Sequence, residues 1–170
     1  MTTFRKFSRT APHKVVLACD PGFDRLGIAV ITGSVHEPRL VCSACIETDR
    51  ALPHERRLGH IAQALEEYME RYAPTHVAIE SLFFSKNTST ALKVAEARGV
   101  ILSIAGRRGI FVSEHSPKEV KLAVTGYGNA TKQEVARMTG RLFPIGKKKT
   151  HDDELDAIAL GICALTTLPK

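Results

Sequence analysis

The stretch VVLACDPG, residues 15–22, is an apolar run that ends in one acid, Asp20, and a Pro-Gly pair. The run has the length and the β-branched residues of a buried strand. Pro21 and Gly22 turn the chain sharply, and a second apolar run, residues 27–31, follows at once. We therefore predict two hydrophobic strands joined by a short loop, with Asp20 at the point where the first strand ends and the loop begins. A carboxylate placed there needs a partner, a cation or a proton.

The composition is that of an ordinary globular chain. Its 170 residues suffice for one domain with a sizeable core, and a hydrophobic content of 44% with 25% charged residues is typical of such domains. No apolar run reaches the ~18 residues of a membrane span, and residues 1–13 lack the apolar segment of a secretory signal. We predict a disordered basic leader over 1–13, a single domain over 14–170, no membrane association and a cytoplasmic location.

The net charge of +6 is unevenly distributed along the chain. The first fourteen residues carry +4 and residues 117–150 carry another +6, so that the remainder is net acidic. A basic stretch beside an acidic cluster indicates a polyanion held near metal-binding carboxylates. Surface lysines that only keep the protein in solution explain this composition equally well.

Two of the four cysteines, Cys42 and Cys45, form a single C-x-x-C motif inside an apolar stretch. On a strand these two side chains face opposite sides, because the side-chain period is two. No second C-x-x-C and no nearby histidine pair completes a zinc set. We therefore predict buried free thiols.

The pattern of apolar residues predicts an α/β fold around a mixed five-stranded sheet. Three strands with short turns, over residues 15–20, 26–32 and 39–47, predict an antiparallel meander. Two further strands, over 76–80 and 110–113, alternate with helices and so predict parallel pairing with helices on both faces of the sheet. The predicted helices cover residues 53–73, 88–108, 117–124, 131–142 and 151–168.

The helix predicted over 88–108 has two apolar stripes. One consists of Leu92, Ala95, Gly99 and Leu102, and the other of Ala91, Val94, Ala97, Ile101 and Ile104. A helix that is apolar on two sides is usually buried on two sides. We predict that one side covers the sheet and that the other, rich in alanine, meets a second subunit.

Acidic residues end two of the predicted strands and open the last helix. Asp20 and Glu80 follow apolar runs directly, at the strand ends where α/β sheets form their sites. Asp153 and Asp156 are three residues apart and share a helix face, which Asp152 can share as well. Helix capping and surface charge explain the helix acids alone, but not acids at the ends of two apolar strands.

Converging carboxylates repel one another, by about 1 kcal/mol per pair at 4 Å even in water. Divalent cations relieve this repulsion, and a set of carboxylate oxygens suits Mg²⁺ or Mn²⁺ with phosphates as further ligands. Two such ions clamp the attacking and the leaving oxygen in a phosphoryl displacement. The acids therefore predict metal-dependent phosphoryl chemistry.

Four segments together resemble the RuvC family of Holliday-junction resolvases. They are DPGFDRLGIAV (20–30), AIESLF (78–83), KNTSTALKVAEARG (86–99) and DELDAIA (153–159). The match runs in order from about residue 15 to residue 165. The resemblance implies a ribonuclease H-like fold, a homodimer, and Mg²⁺-dependent nicking of two opposed strands of a four-way DNA junction.

The resemblance also implies roles for individual residues. The catalytic, metal-binding acids are Asp20, Glu80, Asp153 and Asp156, which hold two Mg²⁺ per active site, with Mn²⁺ as a substitute. Asp152 remains an alternative to Asp153, and the role of the neighbouring His151 stays open between a water-orienting group and a solvated loop residue. The predicted DNA-binding residues are Phe83, Lys86, Asn87, Lys121, Lys132 and Lys148. For Phe83 a core or dimer contact is the alternative, and for Lys132 a solvated phosphate contact.

The principal hypothesis is therefore a junction-resolving endonuclease of homologous recombination and DNA repair, which leaves 5′-phosphate and 3′-hydroxyl ends. The first alternative is a junction-binding protein without catalysis, against which the presence of all four acids argues. The second is another ribonuclease H-like nuclease that acts on RNA or on a different DNA structure. A RuvAB-type branch-migration complex is left open as a partner.

Overall fold

The computed structural model describes residues 14–81, 88–143 and 151–168. The predicted basic leader lies outside these ranges. So do four of the predicted DNA-binding residues, namely Phe83, Lys86, Asn87 and Lys148.

The described residues form one mixed sheet of five strands, as predicted. The strands are Val15–Asp20 (β1), Arg25–Gly33 (β2), Pro38–Glu47 (β3), His76–Glu80 (β4) and Phe111–His115 (β5). Their order across the sheet is β3-β2-β1-β4-β5. The first three pair antiparallel as a meander, and β4 and β5 are added in parallel on the other side of β1. This topology confirms the predicted arrangement.

Five helices connect and cover the strands within the described part of the chain. They are His54–Tyr72 (α1), Thr88–Arg107 (α2), Pro117–Thr125 (α3), Lys132–Leu142 (α4) and Asp152–Thr167 (α5). Capping boxes begin α3 and α4, with Ser116 paired to Glu119 and Thr131 to Glu134. None of the described helices has the length and apolar character that crossing a membrane requires.

The helices lie on both faces of the sheet, and each face has its own core. On one side, α1 and α2 pack against Leu17, Val30 and Ile79. On the other side α5 covers β1 and β2, and α3 and α4 pack against α5. Because α5 is buried between the sheet and two helices, nearly all of its middle residues are apolar.

Two details of the sheet differ from the prediction. Strand β5 begins at Phe111 and extends past the predicted end at Ser113 to His115, because the polar residues Glu114 and His115 continue the ladder with β4. In β3 an irregularity in the pairing with β2 leaves Val41 unpaired. Cys42 and Cys45 face opposite sides, as predicted, but both are free and half-buried rather than fully buried.

Candidate active site

Asp20 and Glu80 meet at the ends of two neighbouring parallel strands. The register pairs Cys19 of β1 with Ile79 of β4, so the next residue of each strand is an acid. Two residues before each acid stands an alanine, Ala18 or Ala78, whose side chain lies in the core under α5. By the alternation of strand side chains, the acids face α5 as well. A hydrogen bond joins the two carboxyl groups.

Helix α5 brings a third acid, Asp156, to these strand ends. The close approach depends on Gly27, which is the partner of Asp20 in the ladder. A Cβ at Gly27 would lie 2.0 Å from the carbonyl oxygen of Asp153 in the first turn of α5. Further along the helix, a Cβ at Gly161 would lie 2.6 Å from Cδ1 of Ile31 and 3.3 Å from Cβ of Ala18, so this glycine also favours close packing, although against side chains rather than backbone. The two glycines let the helix lie directly on β1 and β2.

The three acids line one pocket of about 180 Å³. Two of the predicted DNA-binding lysines line it too, and the rest of its wall comes from α3, α4 and α5. Its lining residues are Asp20, Glu80, Pro117, Val120, Lys121, Lys132, Val135, Asp156, Ala159 and Leu160. The structure therefore brings together acids from three separate parts of the sequence, next to two positive side chains.

The pocket disfavours negative charge on its acids. Burial, followed by the charges of Glu80 and Asp156 and the hydrogen bond with Glu80, raises the pKa of Asp20 to about 8. Burial also raises the pKa of Glu80 and that of Asp156. At neutral pH the pair of Asp20 and Glu80 therefore keeps a proton unless a cation takes its place.

Lys132 supplies one positive charge to the pocket. Its ammonium nitrogen lies 2.9 Å from Oδ2 of Asp156 and 3.8 Å from Oδ2 of Asp152. The hydrogen bond to Asp156 raises the pKa of Lys132, so that this side chain stays charged. Capping of α4 by Thr131 fixes the helix end from which Lys132 extends.

Asp153 lies beside the pocket rather than in its wall. Its Oδ2 is 3.2 Å from Nε of Arg25 and 4.0 Å from the thiol sulfur of Cys45. Its charge nevertheless contributes to the raised pKa of Asp20. The side chain of Asp152 is 77% exposed, against 25% for Asp153.

Two arginines near the acids were missed in the sequence. Arg25 was assigned to the loop before the second strand, but it is the first residue of β2 and shares the strand face of Gly27. Arg57 on α1 is only 7% exposed. It forms an ion pair with Asp24, donates to Oγ1 of Thr48 at 2.9 Å, and lies 3.9 Å from the ring centre of Phe23.

Arg57 and its partners hold the turn that follows Asp20. Oγ1 of Thr48 donates to the carbonyl oxygen of Phe23 at 2.8 Å, so α1 and the end of β3 both fix this turn. For Arg25 the only available signal was its position directly before the apolar run of residues 26–31. For Arg57 there was none, because its contacts are formed only in the folded chain.

The donor chemistry of the pocket fits a divalent metal. Asp20, Glu80 and Asp156 offer carboxylate oxygens, which are the ligands of Mg²⁺ and Mn²⁺. Burial is the main cause of their raised pKa values and the neighbouring carboxylates add to it, and a bound cation relieves both effects. Asp153 pairs with Arg25 through Oδ2 and lies beside this pocket.

The sequence matches a known protein family over most of its length. The family described as crossover junction endodeoxyribonuclease RuvC matches residues 16–164. The RuvC protein of Moorella thermoacetica is 39% identical over 155 residues, covering 91% of this chain and 93% of the relative. That of Brachyspira hyodysenteriae is 43% identical over 148 residues, covering 87% of this chain and 91% of the relative.

Solved structures give the same result. Thermus thermophilus RuvC in complex with a Holliday junction substrate has a TM-score of 0.81 and 32% identity, covering 89% of this chain and 92% of that one. The yeast mitochondrial Holliday junction resolvase, at 13% identity and a TM-score of 0.67, shares the fold, covering 91% of this chain and 80% of that one. The ribonuclease H-like fold is thereby confirmed, and the chain belongs to the RuvC family of crossover junction endodeoxyribonucleases.

Proposed function

We propose that this nuclease resolves four-way DNA junctions by paired nicks in homologous recombination and repair. One observation carries the proposal: Asp20, Glu80 and Asp156 line the same pocket as Lys121 and Lys132. The Thermus relative, solved with a Holliday junction substrate, supports the choice of DNA structure. Hydrolysis that leaves 5′-phosphate and 3′-hydroxyl ends fits this role, because a ligase can reseal such nicks.

The proposed cofactor is a pair of Mg²⁺ ions, for which Mn²⁺ substitutes, held by Asp20, Glu80, Asp153 and Asp156. When bound, these ions supply the positive charge that activates water and stabilises the departing 3′ oxygen. The proton shared by Asp20 and Glu80 leaves when cations enter the pocket. The exposure of Asp152 and the effect of Asp153 on Asp20 favour Asp153 as the fourth acid.

The lysines act on the DNA. Lys121 and Lys132 extend into the same pocket as the acids, where positive side chains attract the phosphate backbone. Lys132 is the better placed to stabilise charge that develops on the phosphate oxygens, because it already lies 2.9 Å from Asp156. The other predicted contacts, which fall outside the described residues, stay predictions.

We further propose that the nuclease acts as a homodimer. A two-fold dimer presents two active sites to the two-fold symmetry of a four-way junction. The outward stripe of α2 is the proposed contact, since Leu92 is 62% exposed there while Ala97, Ile101 and Ile104 on the other side are buried. A RuvAB-type branch-migration complex as a partner and a cytoplasmic location stay predictions.

The test is to replace Asp20 with Asn and to measure junction binding and junction cleavage separately. We expect binding of a synthetic four-way junction to be retained and cleavage with Mg²⁺ to fall by more than about a hundredfold, because a metal ligand is lost and even outer partners of a metal site are worth up to that factor. Asp49→Asn is the matched control, since Asp49 lies in a surface turn and its replacement keeps the acceptor for the Ala51 N–H. Unchanged cleavage by Asp20→Asn would refute the metal assignment.

Binding and cleavage assays with the unaltered chain distinguish the proposed function from its two alternatives. Binding of the junction without any nicking would leave only a non-catalytic junction-binding protein. Cleavage of a linear duplex or an RNA–DNA hybrid at the rate of the junction would indicate a different ribonuclease H-like nuclease. We expect paired nicks in the junction and slow cleavage of the other two substrates.

A further inference from the structure

A second group of metal-ligating side chains lies outside the pocket, where β3 meets the start of α5. Cys45 and Glu47 are on β3, and His151 is the residue that precedes α5. The thiol sulfur, a carboxylate oxygen of Glu47 and a ring nitrogen of His151 all lie within 4.8 Å of one another. Three different ligand types from two distant parts of the sequence therefore converge at one place.

Contacts along the strand explain why they converge. Side chains of alternate β3 residues face α5, so that Oγ of Ser43 donates to Oε1 of Glu154 at 2.5 Å and the Cys45 sulfur lies 4.0 Å from Asp153. His151 stands immediately before this helical turn. Its side chain makes no N-cap hydrogen bond, so capping of α5 does not hold the imidazole away from Cys45 and Glu47.

We propose that Cys45, Glu47 and His151 form a binding site for Zn²⁺, distinct from the acidic pocket. Thiolate, imidazole and carboxylate together are zinc ligands, whereas Mg²⁺ takes oxygen ligands. Ligand atoms around one zinc ion are separated by roughly 3.5 Å, so the three atoms have to close by roughly 1 Å. Glu47 and His151 are exposed and able to make this adjustment.

The proposed ion would tie the edge strand to the helix that supplies two of the catalytic acids. Three protein ligands leave the fourth tetrahedral position to water. The thiol releases its proton to solvent as the metal–sulfur bond forms. Bound Zn²⁺ would thereby stabilise the contact between β3 and α5. Binding of this ion does not depend on nuclease activity.

Cobalt(II) is the probe for the test, because a cobalt–thiolate bond gives a charge-transfer absorption band that oxygen ligands do not give. The intact chain is titrated with Co²⁺ in excess Mg²⁺, which keeps the acidic pocket occupied. We expect one thiolate-bound cobalt per chain, displaced by one equivalent of Zn²⁺. Cys45→Ser should abolish the band, and His151→Gln should weaken cobalt binding by at least about tenfold, the loss that even outer partners of a metal site cause.

Cys42→Ser is the matched control, since Cys42 is the half-buried cysteine on the opposite face of β3. It should keep the band, as should Asp20→Asn, so that the result is independent of cleavage. Thermal melting of each metal-free variant establishes that it is folded. No band in the intact chain, a band that survives Cys45→Ser, or a band lost equally in Cys42→Ser would overturn the proposal.

Discussion

Asp20 combines three conditions that oppose its ionisation: burial, a neighbouring carboxyl group, and a further acid on the helix above it. Each condition comes from a different element, since Glu80 ends β4 and Asp156 belongs to α5. Lys132 offsets part of this charge through its ion pair with Asp156. Without a cation, the site is therefore a place where the folded chain stores unfavourable electrostatic energy.

This energy predicts the pH dependence of stability in metal-free buffer. Asp20 has a pKa of about 8 in the folded chain against an ordinary value of 3.8, so the folded chain binds its proton more tightly than the unfolded chain does. The contribution of Asp20 to stability is therefore lost progressively as the pH rises from 3.8 to about 8. The contribution of Asp20 to the melting temperature, measured with a chelator, should fall over this range, and Mg²⁺ should restore it at the upper end.

Asp20→Asn is the comparison that isolates this effect. Burial lowers the pKa of His115, which makes its own contribution to stability rise with pH and oppose that of Asp20. Because both chains contain His115, its contribution cancels when their melting temperatures are subtracted at each pH. We expect the Asp20→Asn substitution to raise the melting temperature at pH 8 without metal; an identical pH profile for both chains would contradict the assignment.

At the scale of elements, the site depends on how closely α5 lies on the sheet. The helix reaches the strand ends because Gly27 and Gly161 present no side chain to the neighbouring element. The ladder pairs Gly27 with Asp20, so a close approach of helix and sheet occurs next to the first acid. The distance between the acids is thus set by a residue that has no functional group.

Gly27→Ala should therefore disrupt both packing and activity. Its Cβ would lie 2.0 Å from the carbonyl oxygen of Asp153, and the helix must shift to admit it. We expect a loss of about 3 kcal/mol in the free energy of unfolding and loss of junction cleavage, measured by denaturant melts and a nicking assay.

Gly59→Ala on α1 is the matched control for this substitution. Among the described residues, nothing lies within 4 Å of a Cβ built at Gly59. Alanine there should stabilise the chain by up to about 1 kcal/mol, because it favours the helical backbone. Equal stability of the Gly27 variant and the unaltered chain would show that α5 is not held as closely as the structure indicates.

At the scale of the whole molecule, one face of α2 has no partner within the described chain. Leu92 is 62% exposed, and a Cβ built at Gly99 would meet open space. The opposite face is buried against the sheet through Ala97, Ile101 and Ile104. This one-sided burial is what a subunit interface would complete.

Leu92→Asp should separate the proposed dimer, because it places a charge in an apolar contact. Light scattering should show the mass of two chains for the unaltered protein and of one chain for the variant, and paired nicking should give way to single nicks. Leu142→Asp is the control, since Leu142 is also exposed, at 45%, but lies on α4. A variant at Leu92 that stays dimeric would place the interface elsewhere.

The sequence by itself determined the order of the elements, the mixed sheet and the positions of Asp20 and Glu80. These follow from apolar periodicity and from acids placed directly after buried strands, both of which are local properties of the chain. The family, too, could be recognised from its four segments. The ends of β2 and β5 were placed less well, because polar residues such as Arg25 and Glu114 continue their ladders only by pairing with a neighbouring strand.

Only the tertiary structure decided which helix acid enters the pocket and which pairs with an arginine. Asp153 and Asp156 share a helix face in the sequence, yet one contacts Arg25 and the other Lys132. The grouping of Cys45, Glu47 and His151 was equally invisible, since about a hundred residues separate the strand from the helix. Such pairings depend on the rotation and depth of α5 on the sheet, which packing at Gly27 and Gly161 determines and local sequence does not.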